Sequence, residues 1–191
     1  MVSCFDFSVN GHVAQSIAAQ SPPEKTGCAG SLTAKRMREY LDYLDTELGW
    51  LRLRTDDKSV LEIARAAPPP DFRAVPGGLL PRLKAELLEY FAGTRTCFTL
   101  PRAHPGTDFQ EAVWEALAAI PYGETRSYQA LAAMIGRPAA ARAVGNAVGK
   151  NPFLILVPCH RIIRADGALG GFSAGLDAKR ILHRIEEIRT K

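Results

Sequence analysis

Cysteine is scarce in this chain of 191 residues: four in all, at positions 4, 28, 97 and 159. No two of them form a CxxC pair and no regular spacing links them. A disulfide scaffold is therefore excluded, and a reducing compartment fits. Cys4, Cys28, His12 and His104 could offer ligand atoms. Their spacing matches no compact zinc pattern, so no metal and no other cofactor is expected. The chain also lacks any run of 18 consecutive apolar residues, which argues against a membrane span. The opening MVSCFDFSVNGHVAQS has neither the basic start nor the long apolar core of a secretory signal, so the expected location is cytoplasmic. Residues 1–38 are poor in aromatics and broken by SPPEKTGCAGS; they are expected to be loosely packed or irregular and offer no candidate site.

What is present is ordinary in amount and uneven in placement. Hydrophobic residues make up 47% and charged residues 23%, enough for one good-sized core or two small ones. The net charge is +4 and the pI about 9.0. Much of the excess sits in residues 121–164, where Arg126, Arg137, Arg142, Lys150, Arg161 and Arg164 face only Glu124. Such a stretch can hold a polyanion or can simply be a solvated basic face.

ELGWLRLRT and SVLEIARA read as two strands joined by the polar turn TDDK. APPPDFRAVPGG interrupts regular structure, and LPRLKAELLEYFAG follows as an amphipathic helix through Leu80, Leu83, Leu87, Leu88 and Phe91, stopped by Gly93. TCFTLP reads as a further strand. PRAHPGTD, with two prolines and a glycine, reads as a link at 101–108 between an N-terminal α+β domain at 1–100 and a helical domain at 109–191. In the second half DFQEAVWEALAAI reads as a helix with Asp108 near its start and a buried stripe of Phe109, Val113, Trp114, Leu117 and Ile120. SYQALAAMIG, capped by Ser127, and GRPAAARAVGNAVGKNP follow. The break at Gly136-Arg137-Pro138 gives this pair the pattern of a helix-turn-helix. The overall expectation is an α+β fold: a small mixed N-terminal domain, then a mainly helical one with a winged-helix-like helix-turn-helix.

The last of these helices is lined with small residues, among them Ala141, Ala143 and Gly145, around one long cation, Arg142. That lining suits close helix packing, and it equally suits entry into a nucleic-acid groove. The apolar run LILVP leads, as an expected strand, into Cys159-His160. Cys159 is an inert buried thiol, a metal ligand short of donors, or a nucleophile that needs a base within reach. The terminal helix DAKRILHRIEEIRTK, with Ile181, Leu182, Ile185 and Ile188 on its buried side, offers Glu186 or Glu187 to orient an imidazole. Asn151 can shape the turn ahead of the thiol, and the Tyr128 hydroxyl can donate to a phosphate or a ring.

PCHR at 158–161, GTDFQEAVW at 106–114, IPYGETRSYQALA at 120–132 and GRPAAARAVGNAVGKNP at 136–152 resemble the O6-alkylguanine-DNA alkyltransferases, strongly over 105–188 and weakly from GWLRL at 49–53. The resemblance implies direct-reversal repair: one irreversible transfer of the alkyl group of O6-alkylguanine, and of O4-alkylthymine as an open question, onto Cys159 after nucleotide flipping. It makes His160 the base acting through a water, Glu186 its orienter, Asn151 the residue fixing the turn and Tyr128 a donor to the base or its phosphate. It makes Arg142 the finger that fills the gap left by the flipped nucleotide, on a helix whose Arg137, Ala141, Ala143 and Gly145 meet DNA. Phe172 and Ser173 of GGFSAG, with Ile162, would border the base pocket. The expected partner is double-stranded DNA carrying the lesion, met by a monomer without a membrane. Asp108 departs from the family pattern, where many relatives carry Pro. The Cys and His pattern does not line up with the structural zinc of some relatives.

Two other classes remain: an alkyltransferase-like protein that binds the lesion without transfer, against which Cys159 argues, and a helix-turn-helix regulator. A Cys-His hydrolase would turn over, whereas a self-alkylating protein stops after one equivalent.

Overall fold

The structure, a computed structural model, describes residues 38–189. Cys4, Cys28 and His12, and the expected irregularity of 1–38, lie outside the described residues except for Arg38. No helix among the described residues is long and apolar enough to cross a membrane.

An antiparallel meander of three strands comes first: β1 (Tyr40–Thr46), β2 (Gly49–Thr55) and β3 (Val60–Arg65), in that spatial order. Strand β1 was not expected. YLDYLDT carries acidic residues at two of its seven positions, and its pairing to β2 through a hairpin at Glu47-Leu48 supplies what propensity does not. In β2 the two-residue alternation buries Leu51, Leu53 and Thr55 and leaves Arg52 and Arg54 to pair with Glu62. Helix α1 (Leu80–Phe91) lays Leu80, Leu83, Leu87 and Tyr90 into the core at spacings of three and four. Leu88, expected on that stripe, is exposed. The helix closes with Gly93 in the left-handed region, the Gly93 and Thr94 amides returning to Tyr90 O and Glu89 O.

TCFTLP forms no strand. It runs extended, and the Val60 amide reaches Pro101 O while Ala103 N–H reaches Val60 O, so the segment touches β3 at one isolated bridge. Helix α2 (Asp108–Ala118) starts from a capping box: Thr107 Oγ1 accepts the Gln110 amide and the Gln110 side chain accepts the Thr107 amide. Thr107 is thus the cap, and Asp108 adds an acid to the first turn, where the helix dipole favours it. Val113, Trp114 and Leu117 are buried, and the indole N–H donates to Ala147 O at 2.9 Å.

Helix α3 (Tyr128–Met134) is capped by Ser127, as expected. Gly136, at a φ of +70° that a side chain rarely adopts, turns the chain. Pro138–Ala140 form a 3-10 turn before α4 (Ala141–Gly149), completing the helix-turn-helix. Two short strands, β4 (Arg126–Ser127) and β5 (Ile162–Ile163), pair in parallel beside it. The final helix, α5 (Leu176–Ile185), is shorter than expected. Glu187 takes φ +55°, and the Glu187 and Ile188 amides fold back on Arg184 O and His183 O, which ends the helix at Glu186.

Candidate active site

LILVP is not a strand. Phe153 makes one bridge to Ile63, and residues 154–157 then form a tight turn in which Ile155 has φ +71°. A β-branched residue in that region is held by its surroundings rather than by preference. The grip is visible on both sides: Ile63 N–H donates to Pro152 O and Leu154 N–H to Ile63 O, at 2.9 and 3.0 Å. Inside the turn Asn151 donates to Val157 O at 2.8 Å and accepts the Phe153 amide at 3.0 Å. Its amide therefore holds the bend that delivers Cys159 into a 3-10 turn at Cys159–Arg161.

Cys159 is 4% exposed and His160 wholly buried. Burial raises the thiol pKa, against the lowering effects of the Asn151 side chain and the Lys179 ammonium. The thiol rests protonated and needs a base. His160 Nε2 lies 2.8 Å from Glu186 Oε1. A carboxylate only accepts, so Nε2 carries the proton and Nδ1 presents a lone pair; Nδ1 has no hydrogen-bond partner. Burial lowers the imidazole pKa, partly offset by Glu186.

Glu186, 2% exposed, sits at the C-cap of α5 and accepts five bonds: from Tyr90 Oη, His160 Nε2, Arg161 Nε and Nη2, and the Gly123 amide, at 2.8 to 3.2 Å. Burial works to raise its pKa, but the His160 and Arg161 bonds prevail and hold it well below the usual carboxylate range. Between the two glutamates left open by the sequence, the helix-ending turn takes Glu186 inward.

Four polar residues of this site were missed: Tyr90, Arg161, Lys179 and His183. Arg161 is also anchored to Ile120 O at 2.5 Å, with its guanidinium over the Tyr122 ring. Lys179, His183 and Glu186 recur along α5 at helical spacing and are all buried, while Ile181 and Ile185 are only partly so. Lys179 Nζ donates to Ile162 O at 2.5 Å and to Leu169 O, and burial brings its pKa down to about 8. His183 Nε2 lies 2.7 Å from His160 O. The one available signal was the spacing of Lys179, His183 and Glu186 itself, which places three polar residues on one helix face.

A cavity of about 310 Å³ opens beside the thiol, lined by Tyr128, Gly145, Val148, Gly149, Cys159, Gly171, Phe172 and Ser173. A second hollow of about 370 Å³, lined by Ser127, Gln129 and Arg164 among others, shares Tyr128 but not Cys159. Of the two, the first can bring a reacting atom to sulfur. Ile162 is buried in β5 and does not line it; its carbonyl serves Lys179. On α4, Arg142 and Ala143 are exposed and Ala141 and Gly145 partly covered; Arg137, just ahead of the 3-10 turn, stacks over the Phe109 ring at 5.5 Å. Arg142 makes no ion pair among the described residues. Elsewhere, His104, Glu111 and Glu115 bring ligand-type atoms within 4.8 Å of one another, but Arg102 already bonds both glutamates at 2.7 and 2.5 Å.

In this α+β fold a helix-turn-helix accompanies a buried Cys159-His160 pair whose imidazole is bonded to Glu186. The family described as "6-O-methylguanine DNA methyltransferase, DNA binding domain" matches residues 108–188. A methylated-DNA–protein-cysteine methyltransferase of Haemophilus influenzae is 40% identical over 157 residues, 78% of this chain and 87% of the relative. One from Methanosarcina barkeri is 52% identical over 102 residues, 53% of this chain, and the match spans 65% of that relative's length. The crystal structure of Mycobacterium tuberculosis OGT in complex with DNA superposes with a TM-score of 0.69 at 40% identity, covering 77% of this chain and 92% of that one. The chain belongs to the methylated-DNA–protein-cysteine methyltransferase family.

Proposed function

We propose that the protein repairs O6-alkylguanine in double-stranded DNA by moving the alkyl group irreversibly onto Cys159. The observation that carries this reading is a buried thiol opening on a cavity, next in the chain to an imidazole whose Nε2 is bonded to Glu186 and whose Nδ1 has no hydrogen-bond partner. His160 Nδ1 takes the thiol proton through a water. Lys179 and the Asn151 amide favour the thiolate that results. Sulfur attacks the alkyl carbon, the S–C bond forms as the C–O6 bond breaks, and the leaving guanine takes up one proton in place of the one the thiol lost. Tyr128, at the cavity wall, donates to the base. A thioether has no hydrolysis route here, so each molecule acts once.

The base must leave the stack to reach this cavity. Helix α4 supports that step: its small residues permit close approach in the minor groove, and Arg142 fills the space of the flipped nucleotide, with Arg137, Ala141, Ala143 and Gly145 along the contact. Phe172 and Ser173 close over the base. The DNA complex of the Mycobacterium tuberculosis relative favours the same partner. The test is intact mass after mixing with a duplex holding one O6-methylguanine. A gain of about 14 Da, capped at one per chain and abolished by Cys159→Ala, is expected for a methyl transfer to sulfur. Tight binding with unchanged mass refutes transfer and leaves a lesion-binding protein.

A further inference from the structure

The thiol's base works only if it rests unprotonated, and a carboxylate 2.8 Å from the ring works against that. An unshared carboxylate beside a buried imidazole draws a proton onto the ring and makes an ion pair. Nδ1 would then carry a hydrogen and could accept nothing. In this site the carboxylate is shared. Arg161 grips both oxygens of Glu186, at 2.8 and 2.9 Å, and so matches its formal charge. Tyr90 Oη donates at 2.8 Å to Oε1, the same oxygen that His160 uses. The Gly123 amide takes a further share of Oε2. Around these, Tyr122 spends its hydroxyl on Ile185 O and sets its ring against Arg161. From α5 the His183 Nε2 meets the backbone carbonyl of His160, and Lys179 lies one turn earlier on the same helix.

We propose that Tyr90, with Arg161, is a positioning residue that restrains Glu186 so that His160 stays a neutral base with Nδ1 free. Tyr90 does not line the cavity beside Cys159. It acts through the carboxylate and comes from α1, outside the 108–188 stretch that the family match covers. The N-terminal half thereby contributes to the chemistry as well as to the core. Its hydroxyl is buried and has Glu186 as its partner; burial and that partner both raise its pKa, so it remains a donor at every working pH.

The inference rests on the repair reading for its purpose, but its test does not. Histidine side chains labelled at Cε1 are titrated by NMR in the wild type, in Tyr90→Phe and in Arg161→Lys. Phenylalanine keeps the ring's packing and removes only the donor. The expected result is a higher protonation midpoint for His160 in both variants. The acid limb of the transfer rate moves with it, a loss of about two- to fivefold at the pH where the wild type is half-maximal. A merely structural role would lower the melting temperature and leave the midpoint where it was. His160 midpoints that coincide with the wild type, or a ring that stays neutral in both variants down to acid unfolding, overturn the proposal. If none of the three proteins transfers a methyl group, the midpoints still decide it.

Discussion

Glu186 Oε1 stands 2.8 Å from His160 Nε2, across 26 residues of sequence, with neither side chain exposed. The pairing fixes the imidazole tautomer and leaves Nδ1, which has no hydrogen-bond partner, as the ring's acceptor. It also places one carboxylate opposite Arg161, so chemistry and stability meet in a single residue.

Glu186→Gln should therefore fail twice. The amide can still accept from His160 but supplies no charge, so the base is weakened and transfer slows by about 100-fold, the lower end of what a positioned acid–base group contributes. Arg161 is left buried without its counter-ion, a loss of about 3–5 kcal/mol for a broken buried pair. Rapid-quench transfer assays and thermal melts measure the two effects. A slow variant with an unchanged melting temperature would mean that the Arg161 pair is not structural.

That residue also shows what the sequence could and could not convey. Helices α1 to α4 were legible because each carries its own periodicity and its own punctuation, such as Ser127 before α3 and Gly136 after it. The candidate thiol, His160 and the helix-turn-helix were legible for the same reason or through resemblance. The turn at 154–157 was not, because LILVP has a strand's composition and is bent by contacts from Ile63 and Asn151 that lie outside it. Strand β1 exists through pairing with β2 rather than through its own residues. Tyr90 was read as part of a helix; nothing local says that its hydroxyl meets a carboxylate 96 positions on.

His183 should be needed for its N–H rather than its bulk. Its Nε2 serves His160 O, and that carbonyl is buried in the turn that carries the nucleophile. His183→Leu leaves an unpaired carbonyl, about 1–3 kcal/mol of stability, and loosens the Cys159-His160 peptide. His183→Gln, which keeps a donor, should recover most of the transfer rate lost in the leucine variant. Equal rates in the two variants would show that the bond does not position the site.

Stability should fall on mild acidification. His160 and His183 both have folded pKa values depressed by burial below the ordinary 6.5, so the unfolded chain binds protons first as pH drops. Their contribution is complete above that value and is lost as pH falls toward the folded values. Glu186, also depressed, adds a second loss below its ordinary 4.5. Urea midpoints from pH 8 to pH 4 should decline from about pH 6.5 downward, and the upper part of that decline should shrink in His183→Gln. A flat profile from pH 8 to pH 5 would contradict neutral burial of both rings.

Substitution of Arg142 should separate the proposed flipping step from the transfer step. Arg142 is exposed on α4 and forms no ion pair among the described residues, so its removal disturbs little of the fold. Arg142→Ala should therefore melt within about 0.5 kcal/mol of the wild type, as surface substitutions usually do. With a methylated duplex, transfer should drop by about 10- to 100-fold, since unstacking costs a few kcal/mol and the inserted side chain offsets part of it. With the free base O6-benzylguanine, which needs no flipping, the variant and the wild type should react alike. Stopped-flow fluorescence with a reporter base beside the lesion would place the defect before sulfur attack. An equal loss on duplex and free base would instead put Arg142 in the transfer step, and α4 would then be more than a groove-binding helix.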